Sequence, residues 1–407
     1  MGGALKKANR FLMPNYGELG LEITSGQGAW VWTRNAQGKR KKCLDLLCGL
    51  GVTSLGHCHP EVVKAIEKQS QKLMHVSNLY ATGPMAELAA ALAEKNGDNT
   101  NVFFCNSGTE AVEAAVKLAR IWAYEKFGHK KNKIIYFKNS FHGRTWMSIS
   151  LTGQAKMQEK FGPVVEGIVQ AEFNSRTLSD FVDHDTCAII FEIVQTEGGV
   201  NVITDGFYDE ILRLSKEYNF LKIVDEVQTG VGRTGEFFAH WHFKGNPYYE
   251  VPEIITMAKA LGGGLPIGAV LARGEVGDYL LPGSHAATFG GNPVACAAGL
   301  AVLKIIERQN LMARVEKLGL HLLKRRLFEI SCEFYDKIKE YRGGGFMFGV
   351  ELHEPYKAVD VVKAMYEKGV LLGTAGPQVV RFLPPFIITE EELDKALQKF
   401  EQVIKDL

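Results

Sequence analysis

Five short runs of mostly apolar residues constrain the fold more than any other feature of the chain: Asn101-Val102-Phe103-Phe104, Lys133-Ile134-Ile135-Tyr136-Phe137, Ala188-Ile189-Ile190-Phe191, Leu221-Lys222-Ile223-Val224 and Ile254-Ile255-Thr256-Met257. A strand with one solvated face alternates apolar and polar residues, whereas a strand covered on both faces reads as a continuous apolar run. Helical patterns separate these runs. The order predicts an α/β fold with a mainly parallel central sheet flanked by helices. Ligands of such sheets gather at the carboxyl ends of the strands, so the residues that follow each run are the place to look for chemistry.

Two runs end on groups of opposite charge. Asp225 follows the fourth, and Lys259 follows the fifth, ahead of Gly262, Gly263 and Gly264. Taken singly, each is as readily a helix start or a solvated strand end. An amine and a carboxylate delivered by neighbouring strand ends are what a pyridine aldehyde cofactor needs, a Schiff-base partner and a counter-ion for the ring nitrogen. The pair therefore points to a pyridoxal-phosphate enzyme, with Gln228 three residues beyond Asp225 and able to reach a ring hydroxyl.

The other strand ends carry matching groups. Asn106-Ser107-Gly108-Thr109-Glu110 opens an amphipathic helix through Ala111, Ala114, Ala115, Leu118 and Ala119. The unpaired amides and dipole of a helix start favour a phosphate, and the hydroxyls of Ser107 and Thr109 can add donors, although an N-cap alone reads the same way. Phe141-His142-Gly143-Arg144-Thr145 offers an aromatic face for a flat ring and a guanidinium for a carboxylate, or else core packing beside a surface charge. Glu192, Gln195 and Glu197 end the third run; carboxylates there can gate or orient a ligand.

Composition narrows the function classes. Hydrophobic residues make up 46% and charged residues 23% of 407, enough for two or three domains with a sizeable core. With 47 basic against 46 acidic side chains, no global field draws nucleic acid or an anionic membrane. No segment reads as a signal peptide or a membrane span, and Lys6 stands where myristoylation at Gly2 wants a small hydroxyl residue, so a cytoplasmic protein is expected. Seven cysteines without a two-residue-spaced pair read as reduced thiols, and no metal site is expected. His57-Cys58-His59 before Pro60 reads as a turn before a helix, and His240 and His242 as packing residues between aromatic neighbours. The runs 28–32 and 42–46 flank a turn at 35–38. The expected organisation is a small N-terminal segment over 1–50, a large cofactor-binding domain over 51–305 and a smaller α/β domain over 306–407.

In this order, Asn106-Ser107-Gly108-Thr109-Glu110, Phe141-His142-Gly143-Arg144-Thr145, Asp225-Glu226-Val227-Gln228-Thr229-Gly230 and Lys259-Ala260-Leu261-Gly262-Gly263-Gly264-Leu265-Pro266 resemble the class-III, or ornithine-type, aminotransferases of the fold-type I pyridoxal-phosphate superfamily. The resemblance covers nearly the whole chain. It implies Lys259 as the Schiff-base lysine, Asp225 as the partner of the pyridinium, Phe141 stacked on the ring, and Gly108 and Thr109 at the phosphate. Thr288, in Ala286-Ala287-Thr288-Phe289-Gly290, matches a threonine supplied to the partner subunit's cofactor, which implies a homodimer with shared active sites.

The segments Met13-Pro14-Asn15-Tyr16-Gly17, 49–60 and His75-Val76-Ser77-Asn78-Leu79-Tyr80 are most similar to the acetylornithine subgroup. That resemblance implies transfer of the terminal amine of N2-acetylornithine to 2-oxoglutarate. Arg144 would take the donor's α-carboxylate, Arg381 that of glutamate or 2-oxoglutarate, and Glu197 would mask Arg381 when it is unused. Ornithine, succinylornithine, an acetyl-lysine-type donor or 4-aminobutyrate are the alternative donors. An aminomutase or decarboxylase, or a non-catalytic binding protein on the same scaffold, are the alternative classes. The chain departs from the family pattern at Val112, Ile193 and Thr196. It departs again at Ala286 and Ala287, where glycine and serine are expected beside the substrate entrance.

Overall fold

The computed structural model describes residues 3–97 and 99–407; Gly2, read above as unsuited to lipidation, lies outside them. All five apolar runs form strands of one seven-stranded sheet. In chain order these are β1 (Thr100–Cys105), β2 (Lys133–Phe137), β3 (Ile168–Ala171), β4 (Thr186–Phe191), β5 (Leu221–Asp225), β6 (Ile254–Met257) and β7 (Gly268–Arg273). Their order across the sheet is β1-β7-β6-β5-β4-β2-β3. Every strand runs parallel except β7, which pairs antiparallel with both β6 and β1.

Alternate residues of the same strand enter different cores, which is why these strands carry few polar positions. Ile134, Tyr136, Ala188, Ile190 and Ile223 pack with one face of the helix Gly108–Phe127, through Ala111, Ala115, Leu118 and Trp122. Ile135, Phe137, Ile189, Phe191 and Val224 pack on the opposite side with Phe207, Ile211 and Leu214 of the helix Asp205–Tyr218. Truncating a fully buried member such as Ile135 to alanine would cost about 2–5 kcal/mol. The first helix follows β1 after two residues, so its N-terminus lies at the carboxyl end of that strand.

The flanking regions share structure. Leu21–Gln27, Trp30–Asn35 and Arg40–Asp45 form an antiparallel sheet, and Val370–Leu371 adds a parallel fourth strand beside the last of them. A second sheet joins Ile338–Gly344, Met347–Leu352, Val379–Phe382 and Gly373–Thr374, in that spatial order. The helix Pro293–Arg308, capped by the Asn292 side chain, packs on Pro60–Lys72 and Gly83–Asn96.

His57-Cys58-His59 forms the turn before the helix Pro60–Lys72, and His57 Nε2 lies 2.8 Å from Asp45 Oδ2. His240 is buried against Phe238, whereas His242 is exposed, because the short turn Ala239–Phe243 presents its even positions to different surroundings. All seven cysteines are unpaired. Among the described residues no helix is long and apolar enough to cross a membrane.

Candidate active site

The carboxyl ends of β1, β4, β5 and β6 open onto one cavity of about 410 Å³, of the size that holds a small cofactor with its substrate. Its wall includes Ser107, Gly108, Thr109, Phe141, Arg144, Glu192, Asp225, Gln228 and Lys259, from segments dispersed over more than 150 positions of sequence.

Asp225 ends β5 and is held from three sides. Its register partner on β6, Thr256, donates from Oγ1 to Asp225 Oδ1 at 2.9 Å, and the Val227 amide donates to the same oxygen at 3.0 Å. His142 Nδ1 lies 2.7 Å from Oδ2, and both side chains are buried. A carboxylate fixed in this way presents its charge at a defined point of the cavity.

Lys259 follows β6 with φ at +39°, a conformation that costs a non-glycine residue energy and that clusters at functional sites. It starts a short turn, Lys259–Gly262, that turns its side chain into the cavity. Burial pushes the amine down to about 8; Glu197 and Asp225 oppose that shift, and Arg381 adds to it. A lysine in this state exchanges a proton near neutral pH.

Glu192, at the end of β4, accepts the Phe141 amide at 3.0 Å. Burial, and then the charge of Asp225, raises its carboxyl well above the ordinary range, which favours the protonated form.

The helix Gly108–Phe127 starts at the cavity. Ser107 caps it by accepting the Glu110 amide at 3.3 Å, so the capping reading and the anion reading of this turn hold together. A side chain at Gly108 would lie 2.7 Å from Val227 Cγ1, so only glycine lets the first turn sit against that residue. The Thr109 hydroxyl is taken up elsewhere: the amides of Arg144 and Thr145 approach it at 3.2 and 3.3 Å. What Thr109 offers the cavity from the first turn is its backbone amide.

Arg144 is exposed at the rim, its guanidinium carbon 5.4 Å from the centre of the Phe141 ring, and it makes no ion pair among the described residues. Arg381 is the opposite case. It lies on Val379–Phe382, 1% exposed, with Nη1 2.7 Å from Glu197 Oε1 and 3.3 Å from the Thr196 carbonyl. Burial raises the Glu197 carboxyl, but Arg381 and Lys259 outweigh it and leave it below its ordinary value. The pair stands one layer behind the cavity wall, tied to it where Gln228 Nε2 donates to Glu197 Oε1 at 3.4 Å. Gln228 Oε1 is buried and has no partner among the described residues. Thr288 is exposed, Ala287 is half-buried, and neither lines this cavity.

Sequence reasoning passed over His142 and Val227. A histidine between Phe141 and Gly143 gives no local sign that it meets a carboxylate 83 positions away. Val227 could have been found as the apolar residue two positions after the strand-end acid.

Comparison with known proteins gives a consistent pattern. A family model described as aminotransferase class-III matches residues 12–404. The acetylornithine aminotransferase of Caldanaerobacter subterraneus subsp. tengcongensis is 42% identical over 399 residues, covering 98% of each chain. That of Aquifex aeolicus is 43% identical over 395 residues, covering 97% of this chain and all of the relative. Among solved structures, the ornithine aminotransferase of Toxoplasma gondii superposes with a TM-score of 0.90 at 32% identity, over 98% of this chain and 94% of that one.

Proposed function

Because the chain belongs to the class-III aminotransferase family, we propose that this pyridoxal-phosphate enzyme moves the terminal amino group of N2-acetylornithine to 2-oxoglutarate, giving N-acetylglutamate 5-semialdehyde and glutamate. It would thereby serve arginine biosynthesis.

The residues present suit the cofactor. Gln228 Oε1 is an orphaned buried acceptor in a cavity that also offers a capped helix start, a fixed carboxylate and a desolvated amine. Ser107, Gly108 and Thr109 would hold the phosphate, Asp225 the ring nitrogen and Gln228 the ring hydroxyl, with Phe141 and Val227 covering the ring. When bound, pyridoxal phosphate supplies an aldehyde to carry the amino group and an electron-poor ring to take up electrons released by C–H cleavage. Asp225, with His142 behind it, would keep a proton on the ring nitrogen. Lys259 Nζ, whose burial favours the neutral amine, would take the proton from the donor carbon that bears the amine.

The observation that carries the substrate reading is the masked Arg381. A site that alternates between a donor with a neutral tail and a dicarboxylate acceptor needs a guanidinium in one half-reaction only. The 2.7 Å contact with Glu197 gives it a charge partner in the other. Arg144, exposed and without an ion pair, would take the α-carboxylate of the donor, whose acyl group would lie toward Ala287. In a homodimer, Thr288 of each protomer would serve the other's phosphate, and its exposure outside its own cavity supports that arrangement. Exposed Leu79, Tyr80 and Phe289 nearby supply apolar surface for such an interface. The unpaired thiols support a cytoplasmic location.

A second reading, with free ornithine as donor, draws on the likeness to the Toxoplasma gondii enzyme. The test is a comparison of kcat/KM for acetylornithine, ornithine, succinylornithine and 4-aminobutyrate with 2-oxoglutarate as acceptor. Acetylornithine is expected to rank first, and a clear preference for another donor would overturn the assignment.

A further inference from the structure

Behind the Arg144 turn lies a ring of hydroxyls that no cofactor or substrate contact requires. The Thr145 hydroxyl donates to Glu113 Oε1 at 2.5 Å, and the Met147 amide donates to the same oxygen at 3.1 Å. Thr109 Oγ1 lies 2.9 Å from Thr145 Oγ1 and 2.5 Å from Ser148 Oγ. The Arg144 amide donates to Thr109 Oγ1 at 3.2 Å, and the Thr145 amide donates to Ser148 Oγ at 3.0 Å.

Proton accounting gives this ring a direction. An ionised carboxylate only accepts, so the Thr145 proton goes to Glu113. Thr145 then accepts from Thr109 directly or from Ser148, whose Oγ lies 2.8 Å away, and in either case Thr109 accepts the amide of Arg144. Gly143 makes the approach possible: its φ is +134°, and any Cβ there would lie 2.3 Å from Thr109 Oγ1. Glu113 sits on the second turn of the helix whose start faces the cavity, so the chain of bonds references the backbone at Arg144 to that same rigid helix.

From this geometry we infer that Glu113 is a positioning residue for Arg144, acting through Thr145 and Thr109 to fix where the donor's carboxylate is gripped. The inference rests on the proposed role of Arg144 and does not depend on which acyl group the donor carries. Among the described residues Arg381 bonds to Thr196 and Glu197 and not to the ring, and it stands on another sheet.

Donor binding to the holoenzyme and the affinity for the cofactor, measured separately, test this. Glu113→Ala is expected to weaken apparent donor binding by about tenfold, the scale of one charge-assisted hydrogen bond, and to leave cofactor affinity within about twofold. Glu113→Gln, whose amide oxygen still accepts from Thr145 and Met147, should restore donor binding to within about threefold of the parent. Thr145→Val carries the same test should the alanine variant fail to fold. In an Arg144→Ala background, adding Glu113→Ala should change nothing further, because the two act as one unit. A loss of cofactor affinity as large as the loss of donor binding, or a donor effect that persists without Arg144, would overturn the inference. If Arg144→Ala alone leaves donor binding unchanged, the role proposed for Arg144 fails instead.

Discussion

Removing Glu197 tests the switch at Arg381 with a magnitude set by the structure. Arg381 keeps 2% of its side-chain surface and Glu197 21%, so Glu197→Ala leaves a guanidinium that water reaches poorly. Breaking a buried pair costs about 3–5 kcal/mol, and the partial exposure of Glu197 puts this case near the lower end, about 3 kcal/mol. With an unfolding entropy of about 2.1 cal/mol/K per residue, a chain of this length loses roughly 3–4 °C of melting temperature for that amount. Adding 2-oxoglutarate supplies a new carboxylate, so the variant should recover more of its stability from this ligand than the parent gains. It should also bind the acceptor about tenfold more tightly, since no internal carboxylate has to be displaced. The donor, whose neutral tail now lies near a bare charge, should bind more weakly. Thermal denaturation with and without 2-oxoglutarate, together with rapid-mixing kinetics of each half-reaction, reads all of these effects. An unchanged melting temperature, or a parallel shift of both half-reactions, would refute the reasoning.

Other outcomes follow from the same site. Burial and Asp225 raise the Glu192 carboxyl and favour its protonated form, so Glu192→Gln should keep kcat/KM within about threefold. A carboxyl raised on folding gives stability that is present below its unfolded value and lost as pH rises through the folded one, so the glutamine variant should also melt higher than the parent at pH 8 and lose that advantage below pH 5. Lys259 is shifted the other way: the unfolded chain holds that proton to higher pH, so cofactor-free protein should gain stability as pH rises from about 8 toward the ordinary lysine range, and Lys259→Met should flatten that slope. Gly108→Ala drives a methyl group to 2.7 Å from Val227 Cγ1, and a cofactor titration should show affinity falling by about tenfold.

The sheet was legible because burial on both faces leaves few polar positions in the strands. Two strands escaped notice for physical reasons. Gly268–Arg273 follows the Lys259 turn with no helix between, as an antiparallel strand allows, and its small residues Gly268, Ala269 and Ala272 give a weak apolar signal. Ile168–Ala171 is a four-residue edge strand, only partly buried. In the site, strand ends announced Lys259, Asp225 and Glu192, since topology alone carries them to one rim. The contacts between segments were not legible. His142 meets Asp225, and Thr109 meets Thr145 and Ser148, only after the helix Gly108–Phe127 packs on the sheet. Glu113 then reads in sequence as one more acid on a solvated helix face. Arg381 and Glu197, 184 positions apart, were linked by family resemblance and not by any local pattern.

The central claim is that Lys259 is the amine that holds the cofactor in this cavity. Borohydride reduction of the holoenzyme, followed by proteolysis and mass spectrometry of the peptides, reads the attachment point directly. The account predicts a pyridoxyl group on Lys259 and none in Lys259→Ala; attachment at another lysine, or no attachment to the parent protein, would contradict it.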